Sequence, residues 1–403
     1  MTVSLALVGA GNRGRTYASW IAAHPERARL VAVADPDPGR RAEVRAEREY
    51  DDWRPLLTER TADAVILATQ DRLHVEPALA LAEAGYALLV EKPLAPTEEE
   101  TRLLVRAVER SGVLFAVCHV LRYTPYTDLV KNVIDSGVLG EVMSVEHLEP
   151  VGWWHHAHSY VRGPWRSERL ASPMLLAKSS HDLDWLAYVT GRTIERVASF
   201  GSLGHFRADR RPQGAAERCV ECRIEAACPY SAPRLYLREE FDWPATVVAD
   251  RPQDVLEALR TGPYGRCVYA CDNDVVDHQV LAMELSGGAT ATFTVTAFTE
   301  QTHRQTRVFG SHGRLVGDGE TVRVLDFRDA SERVLSAGAT GSNAGDGHGG
   351  GDAGLMDAFV RALETGERGH VRSGAAESLH SHLAVFAAER ARHSGTVAAV
   401  PRS

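Results

Sequence analysis

The chain has 403 residues, 44% apolar and 25% charged, the balance of a soluble globular protein of two or three domains. Its formal net charge of −9 argues against nucleic-acid binding, which needs a basic face. No apolar run reaches the roughly 18 residues that span a bilayer, so the expected setting is the cytoplasm, without nucleic-acid or membrane partners.

The first run, "VSLALVGAG", is β-rich and leads into a glycine motif rather than a cleavage site, so it reads as a strand and not as a signal peptide. Gly9, Gly11 and Gly14 stand in G-x-G-x-x-G spacing around Asn12 and Arg13, and "RTYASWIAAHP" follows with helical periodicity. A second strand, "RLVAVAD", ends at Asp35, 21 residues past Gly14. In this context Gly9 makes a tight turn, Gly11 lets a pyrophosphate approach the backbone, and Gly14 lets the helix pack on the sheet. The helix N-terminus then faces the phosphates. Asp35 is placed to accept from the adenosine ribose hydroxyls and to repel a 2′-phosphate, which favours NAD over NADP. Arg40 and Arg41 weaken that preference, because an arginine can accommodate the phosphate.

Strands and helices then alternate: "ADAVILAT", "HVEPALALAEAG", "YALLVEKP", "TEEETRLLVRAVERSG" and "VLFAVCHV". Alternation of this kind predicts a doubly wound parallel sheet, whose ligands bind at the carboxyl ends of the strands. Thr69, Gln70, His74, Glu91, Lys92, Pro93 and His119 fall on that rim; all but Pro93, which shapes the turn, are with Asn12 and Arg13 the candidate cofactor contacts. Cys118 lies within the last strand and reads as a buried small hydrophobe.

With "GAGNRG", "ILATQDRLHVEPALALAEAGYALLVEKPLAPTEEE" and the later "HDLDWL", the sequence resembles the Gfo/Idh/MocA family of sugar, inositol and related oxidoreductases. The resemblance implies an α/β protein: an N-terminal Rossmann domain with a doubly wound parallel sheet (residues 1–121) and a C-terminal α+β domain with a large, mostly antiparallel sheet (122–403). It further implies an NAD cofactor, a carbohydrate or polyol substrate, and a homo-oligomer, dimer or tetramer. The lysine of "EKP", Lys92, is expected beside the nicotinamide and the reacting carbinol, where a lowered pKa lets it exchange a proton with the substrate oxygen. The family histidine at a helix start maps onto His181, the expected proton donor or acceptor. Many relatives have an aspartate four residues earlier, where this chain has Ala177. Lys178 is instead a candidate for holding a substrate anion or hydroxyl, and Asp182 for orienting a neighbour, with Asp184 beyond it. "SSHDLDWL" also reads as a helix start capped by Ser179 or Ser180.

Past the first domain, Arg122 and Tyr123 are candidate cleft residues. "EPVGWWHHAHSYVRGPWR" reads as a loop walling a polar pocket, with Trp154, His158, Tyr160 and Arg166 as candidate substrate contacts. His155, His156 and His158 have no interleaved carboxylate, which argues against a metal there. Cys219, Cys222 and Cys228, spaced C-x2-C-x5-C, together with Cys267 or Cys271, suggest a structural zinc in an insertion at about 205–270. An iron–sulfur cluster and metal-free cysteines are the alternatives. The glycine-rich stretch 338–354, with His348, is a candidate lid.

Two enzymatic readings follow from the resemblance. One is NAD-dependent hydride transfer at a secondary hydroxyl of a sugar, polyol or sugar derivative. The other is redox-neutral glycoside cleavage through transient oxidation, elimination and hydration. A third reading is a non-enzymatic NAD(H)-sensing regulator.

Overall fold

A computed structural model describes residues 2–240, 242–338 and 348–402; most of the candidate lid, residues 339–347, lies outside the described residues. Strands β1 (Val3–Val8), β2 (Ala28–Ala34), β3 (Glu49–Tyr50), β4 (Ala64–Leu67), β5 (Ala87–Val90) and β6 (Phe115–Val117) form one parallel sheet in the order β3-β2-β1-β4-β5-β6. The order reverses between β1 and β4, and a ligand crevice opens at the carboxyl ends of the strands beside such a reversal. Leu5, Ile66 and Leu89 are fully buried, because helices cover both faces of the sheet. These include α1 (Asn12–Ala23), α2 (Val75–Glu83) and α3 (Glu98–Ser111). Helix α3 begins where Thr97 accepts from the backbone N–H of Glu100 and ends at the left-handed Gly112, a stop that the chain marks with "SG".

The second sheet contains β7 (Val142–Pro150), β8 (Ile194–Ser202), β9 (His278–Leu285), β10 (Thr290–Thr296), β11 (Gln305–Gly310), β12 (Gly313–Gly317), β13 (Thr321–Asp326), β14 (Glu332–Ser336) and β15 (Ala398–Ala399), in the order β14-β13-β12-β11-β7-β10-β9-β8-β15. Only the central β7–β10 pair is parallel. Buried and exposed residues alternate along β9 and β10, so one face packs on a core and the other faces outward. Helices α4 (Pro125–Asp135) and α5 (Met174–Thr190) cover the inner face through Val130, Leu183 and Leu186.

The last two helices return to the first sheet. Leu355, Met356 and Phe359 of α6 (Gly351–Thr365) join the core around Tyr17 and Ile66. Leu379 and Leu383 of α7 (Ala375–Ser394) join that of Val90 and Leu104. Residues remote in sequence thus complete both faces of the parallel sheet.

Two local expectations need correction. Helix α5 starts at Met174, not at Ser179 or Ser180. Both serines lie inside it, buried, with hydroxyls that have no partner, so neither is the N-cap. The apolar run Met174–Ala177 packs well enough to extend the helix upstream. Residues 153–162 are not a loop: a helical turn, Trp153–His156, continues as a π-helix over Ala157–Arg162. Between β8 and β9, residues 203–277 leave the sheet and gather around two small apolar clusters, one with Phe206, Tyr230 and Val268, the other with Leu235, Tyr236 and Leu259. No described helix is long and apolar enough to cross a membrane.

Candidate active site

The glycine motif joins β1 to α1. Gly9 has φ +92°, and a Cβ there would lie 2.6 Å from the carbonyl oxygen of Ala68. A Cβ on Gly14 would collide with the carbonyl of Gly9, so the helix can cross only as glycine permits. A Cβ on Gly11 would meet nothing within 4 Å, which leaves an open cradle at the N-terminus of α1. Close by, the buried hydroxyl of Thr69 has no partner. An open backbone cradle, a helix N-terminus and an orphaned donor at a sheet reversal fit a dinucleotide. Asn12 is exposed on the first turn of α1, and Gln70 is exposed beyond β4.

Several rim residues brace the cradle. The Asp35 carboxylate accepts from the backbone N–H of Ala10 (2.8 Å) and Asp37 (2.9 Å). Arg41 donates to the Asp35 carbonyl and faces Glu49, while Arg40 faces Asp37. His74 is fully buried, its ring nitrogens set against the carbonyls of Pro93 (2.8 Å) and Thr69 (3.1 Å), so it ties together the turns after β4 and β5. Arg13 points inward: its guanidinium pairs with Glu91 (2.7 Å) and Asp352 (2.5 Å), and Glu91 also accepts from Tyr17 (2.6 Å). Asp352 reaches on to His348 Nδ1 (3.1 Å). The glycine motif, the end of β5 and the start of α6 are thereby linked.

Lys92 follows β5, and its ammonium donates to the backbone carbonyl of Ala177. His181 lies one turn further along α5, buried, with Nδ1 unpartnered. Its ring centroid is 5.7 Å from that of His119 and 6.2 Å from that of His348. Burial pulls the Lys92 pKa down to about 8, against the opposing pull of Glu91 and Asp71. Burial, then the charge of Lys92, holds His181 well below the ordinary histidine range, and burial with Arg122 does the same for His119. The site therefore presents neutral imidazoles around an amine that titrates near neutrality, a set suited to moving one proton.

Lys178 lies 3.1 Å from Glu149, which also pairs with Arg304 (2.9 Å). Arg304 in turn holds Asp182, and Asp182 is 3.2 Å from His147. Lys178 and Asp182 are thus the ends of a buried charge chain. Asp184 accepts a two-pronged pair from Arg122 (2.6 and 2.8 Å), whose guanidinium lies over the Tyr188 ring. Tyr123 is bonded to Ser373 (2.9 Å) and to the backbone N–H of Arg372. The structure gives Arg122 and Tyr123 these internal partners instead of the cleft.

The helical winding of residues 153–162 splits its candidates. The Tyr160 hydroxyl is pushed to a higher pKa by burial, then by Asp71 and Glu149, the acids bordering the lysine pair. His158 instead bonds Tyr236 (2.9 Å) and stacks on Tyr264, within the 203–277 excursion. Trp154 packs against that excursion too, 5.4 Å from Trp243 between ring centroids, and Arg166 pairs with Asp272 (3.0 Å). Glu149, Arg304, His147 and Asp71 were missed by motif reasoning. The first three depend on strand pairing that brings residues 147, 149 and 304–306 together, and Asp71 on contacts with Ser172 and Trp165 about 100 residues on in the chain; no local pattern encodes either.

These features define a dinucleotide-binding α/β unit joined to a second, mostly antiparallel sheet. Residues 3–119 match the family model "Oxidoreductase family, NAD-binding Rossmann fold", and 131–398 match "Oxidoreductase family, C-terminal alpha/beta domain"; the chain belongs to the Gfo/Idh/MocA family. It is 31% identical over 201 residues to 2,7-anhydro-N-acetylneuraminate hydratase of Mediterraneibacter gnavus, covering 50% of this chain and 52% of that protein. It is 32% identical over 200 residues to inositol 2-dehydrogenase 2 of Saccharopolyspora erythraea, covering 48% and 56%. The chain spans about half the length of these curated relatives. A solved levoglucosan dehydrogenase in complex with NADH superposes over 100% of both chains with a TM-score of 0.74 at 20% identity, a likeness of fold.

Proposed function

We propose that the protein is an NAD-dependent dehydrogenase acting at a secondary hydroxyl of a sugar, polyol or sugar derivative. The observation that carries this reading is the approach of Lys92 to the His181 turn at the carboxyl edge of the parallel sheet, beside the Gly11 cradle. Gly9, Gly11, Gly14, Asp35 and Thr69 hold the cofactor, and bound NAD supplies the hydride acceptor. Lys92 takes the carbinol proton as a neutral amine and returns it as an ammonium. His181 orients the same hydroxyl, and Tyr160 is a further substrate contact. Arg13 and Glu91 keep the cradle rigid. An inositol, sugar and anhydrosugar panel with NAD, followed by NADH absorbance, tests the reading. Turnover by wild type that vanishes in Lys92→Met supports it; no NADH with any member counts against it.

The hydratase relative favours a second reading, redox-neutral cleavage or hydration with NAD as a catalyst. Product formation at substoichiometric NAD, without accumulated NADH, selects it. The same proposal takes the enzyme as a cytoplasmic dimer or tetramer. The described cysteines are all free, and the outer face of the second sheet exposes Phe200, Met143 and Val334. Light scattering reads the assembly directly.

A further inference from the structure

Arg162 is among the largest fully buried side chains, at 1% exposure. Its Nε donates to the carbonyl of Arg266 (2.8 Å) and its Nη2 to the carbonyl of Tyr230 (2.7 Å). Nη2 also lies 3.4 Å from Cys219 Sγ, and Nη1 has no partner. No carboxylate pairs with it among the described residues. A buried cation without a counter-charge is costly, so the surroundings are expected to supply one.

Arg162 lines a cavity of about 370 Å³ together with Cys219, Cys222, Cys228 and Cys267. Two matched turns present the cysteines. The N–H of Cys222 returns to the carbonyl of Cys219 (3.1 Å), and that of Cys228 to Glu225 (3.0 Å). Cys222 and Cys228 leave their turns with the same backbone angles, φ −83° and ψ 122°. The fourth cysteine arrives by an antiparallel bridge between Arg218 and Arg266, with the N–H of Cys267 donating to the carbonyl of Glu217 (2.8 Å). Cys271 does not line the cavity, and its thiol lies 3.3 Å from the carbonyl of Cys267.

We propose that Cys219, Cys222, Cys228 and Cys267 hold one structural zinc ion as a tetrathiolate, and that this dianion is the counter-charge of Arg162. Binding releases four thiol protons and leaves a net charge of −2 on the centre, against which the unpartnered Nη1 is set. No redox change is involved, and four thiolates leave no open position for chemistry. The cysteine sulfurs do not lie within 4.8 Å of one another in threes, so holding one ion requires their side chains to turn toward a common centre. Among the described residues only Glu168, Glu389 and His393 bring three donor atoms within 4.8 Å of one another. Cys222 and Cys228 are partly exposed, and the cavity leaves room for their side chains to rotate inward. Through Arg162 the zinc then ties the 203–277 excursion to the π-helix Ala157–Arg162.

Metal analysis of the purified full-length protein, before and after incubation with zinc, tests this. Close to one zinc per chain is expected in wild type, Cys271→Ser and His393→Ala, and almost none in Cys222→Ser or Cys228→Ser. Cobalt replacement in wild type should give the intense visible bands of a tetrahedral thiolate, a readout that does not depend on any variant folding. Arg162→Met should speed zinc transfer to a chelator about tenfold, the effect of one charge-assisted hydrogen bond. A wild type that takes up no zinc, an iron-containing centre, zinc retained in Cys222→Ser and Cys228→Ser, or loss of zinc in Cys271→Ser or His393→Ala would each overturn the proposal.

Discussion

The ammonium of Lys92 donates to the backbone carbonyl of Ala177, one helical turn before His181. In an α-helix that carbonyl also accepts the N–H of His181, so the two groups share one acceptor. A carbonyl dipole holds an ammonium less strongly than a carboxylate does. Burial therefore outweighs the remaining attraction, and the Lys92 pKa falls to about 8. Ala177 offers that ammonium a backbone carbonyl and no side-chain charge.

A pH dependence follows. The neutral amine is the proton acceptor, and its fraction grows as pH rises through about 8. Carbinol oxidation should accelerate across that range and level off above it, while ketone reduction should fall. Lys92→Met should lose on the order of 10²–10⁴ in kcat with NADH binding retained. Steady-state profiles over roughly pH 6 to 10, paired with NADH fluorescence titration, check both; a flat profile sinks the assignment.

Cofactor choice is the next expectation. Arg40 and Arg41 are engaged by Asp37, Glu49 and the Asp35 carbonyl, which leaves Asp35 to face a 2′-phosphate unaided. NADP should bind at least about 100-fold more weakly than NAD, some 2.7 kcal/mol, because like charges meet at short range. Competitive titration of NADH and NADPH measures the ratio, and equal affinities would contradict the reading.

Arg122 and Asp184 form a buried two-pronged pair. Removing one partner strands a charge, so Arg122→Ala should cost about 3–5 kcal/mol of stability, and Asp184→Ala a similar amount. An apolar replacement of both partners should recover most of the loss. Denaturant unfolding of the three variants reads the cycle, and a single-variant cost below about 1 kcal/mol would place the pair among weak surface contacts.

Much of this architecture was legible locally. The glycine motif, the alternation of strand and helix, and "EKP" locate the cradle and Lys92, because each is a short-range demand of the backbone. Arg122 was misread because position along a strand end does not reveal that Asp184, 62 residues on, takes up its guanidinium. Residues 153–162 were misread because a run of His, Trp and Tyr has no strong period, and tertiary packing against Phe206 and Tyr264 set its winding. Lys178 looked free for substrate because Glu149 lies on β7, whose pairing with β11 also brings in Arg304.

The charge chain Lys178–Glu149–Arg304–Asp182 yields a final expectation. Arg304 outweighs the burial penalty on Asp182 and holds its carboxyl at about 2. Since the folded pKa is depressed, the stabilisation is present above the ordinary carboxylate range and is lost as pH falls from about 4 toward about 2. Arg304→Met leaves Asp182 only His147 and Glu149 only Lys178, so it should destabilise by about 3 kcal/mol near neutral pH and by less near pH 3. Lys178→Met removes only the outer link, leaving Glu149 its contact with Arg304. That variant should keep its fold, lose less than about 1.5 kcal/mol, and leave kcat little changed. Unfolding at the two pH values and steady-state kinetics of both variants decide the matter; a collapse of kcat in Lys178→Met would move Lys178 from the charge chain into the proton transfer itself.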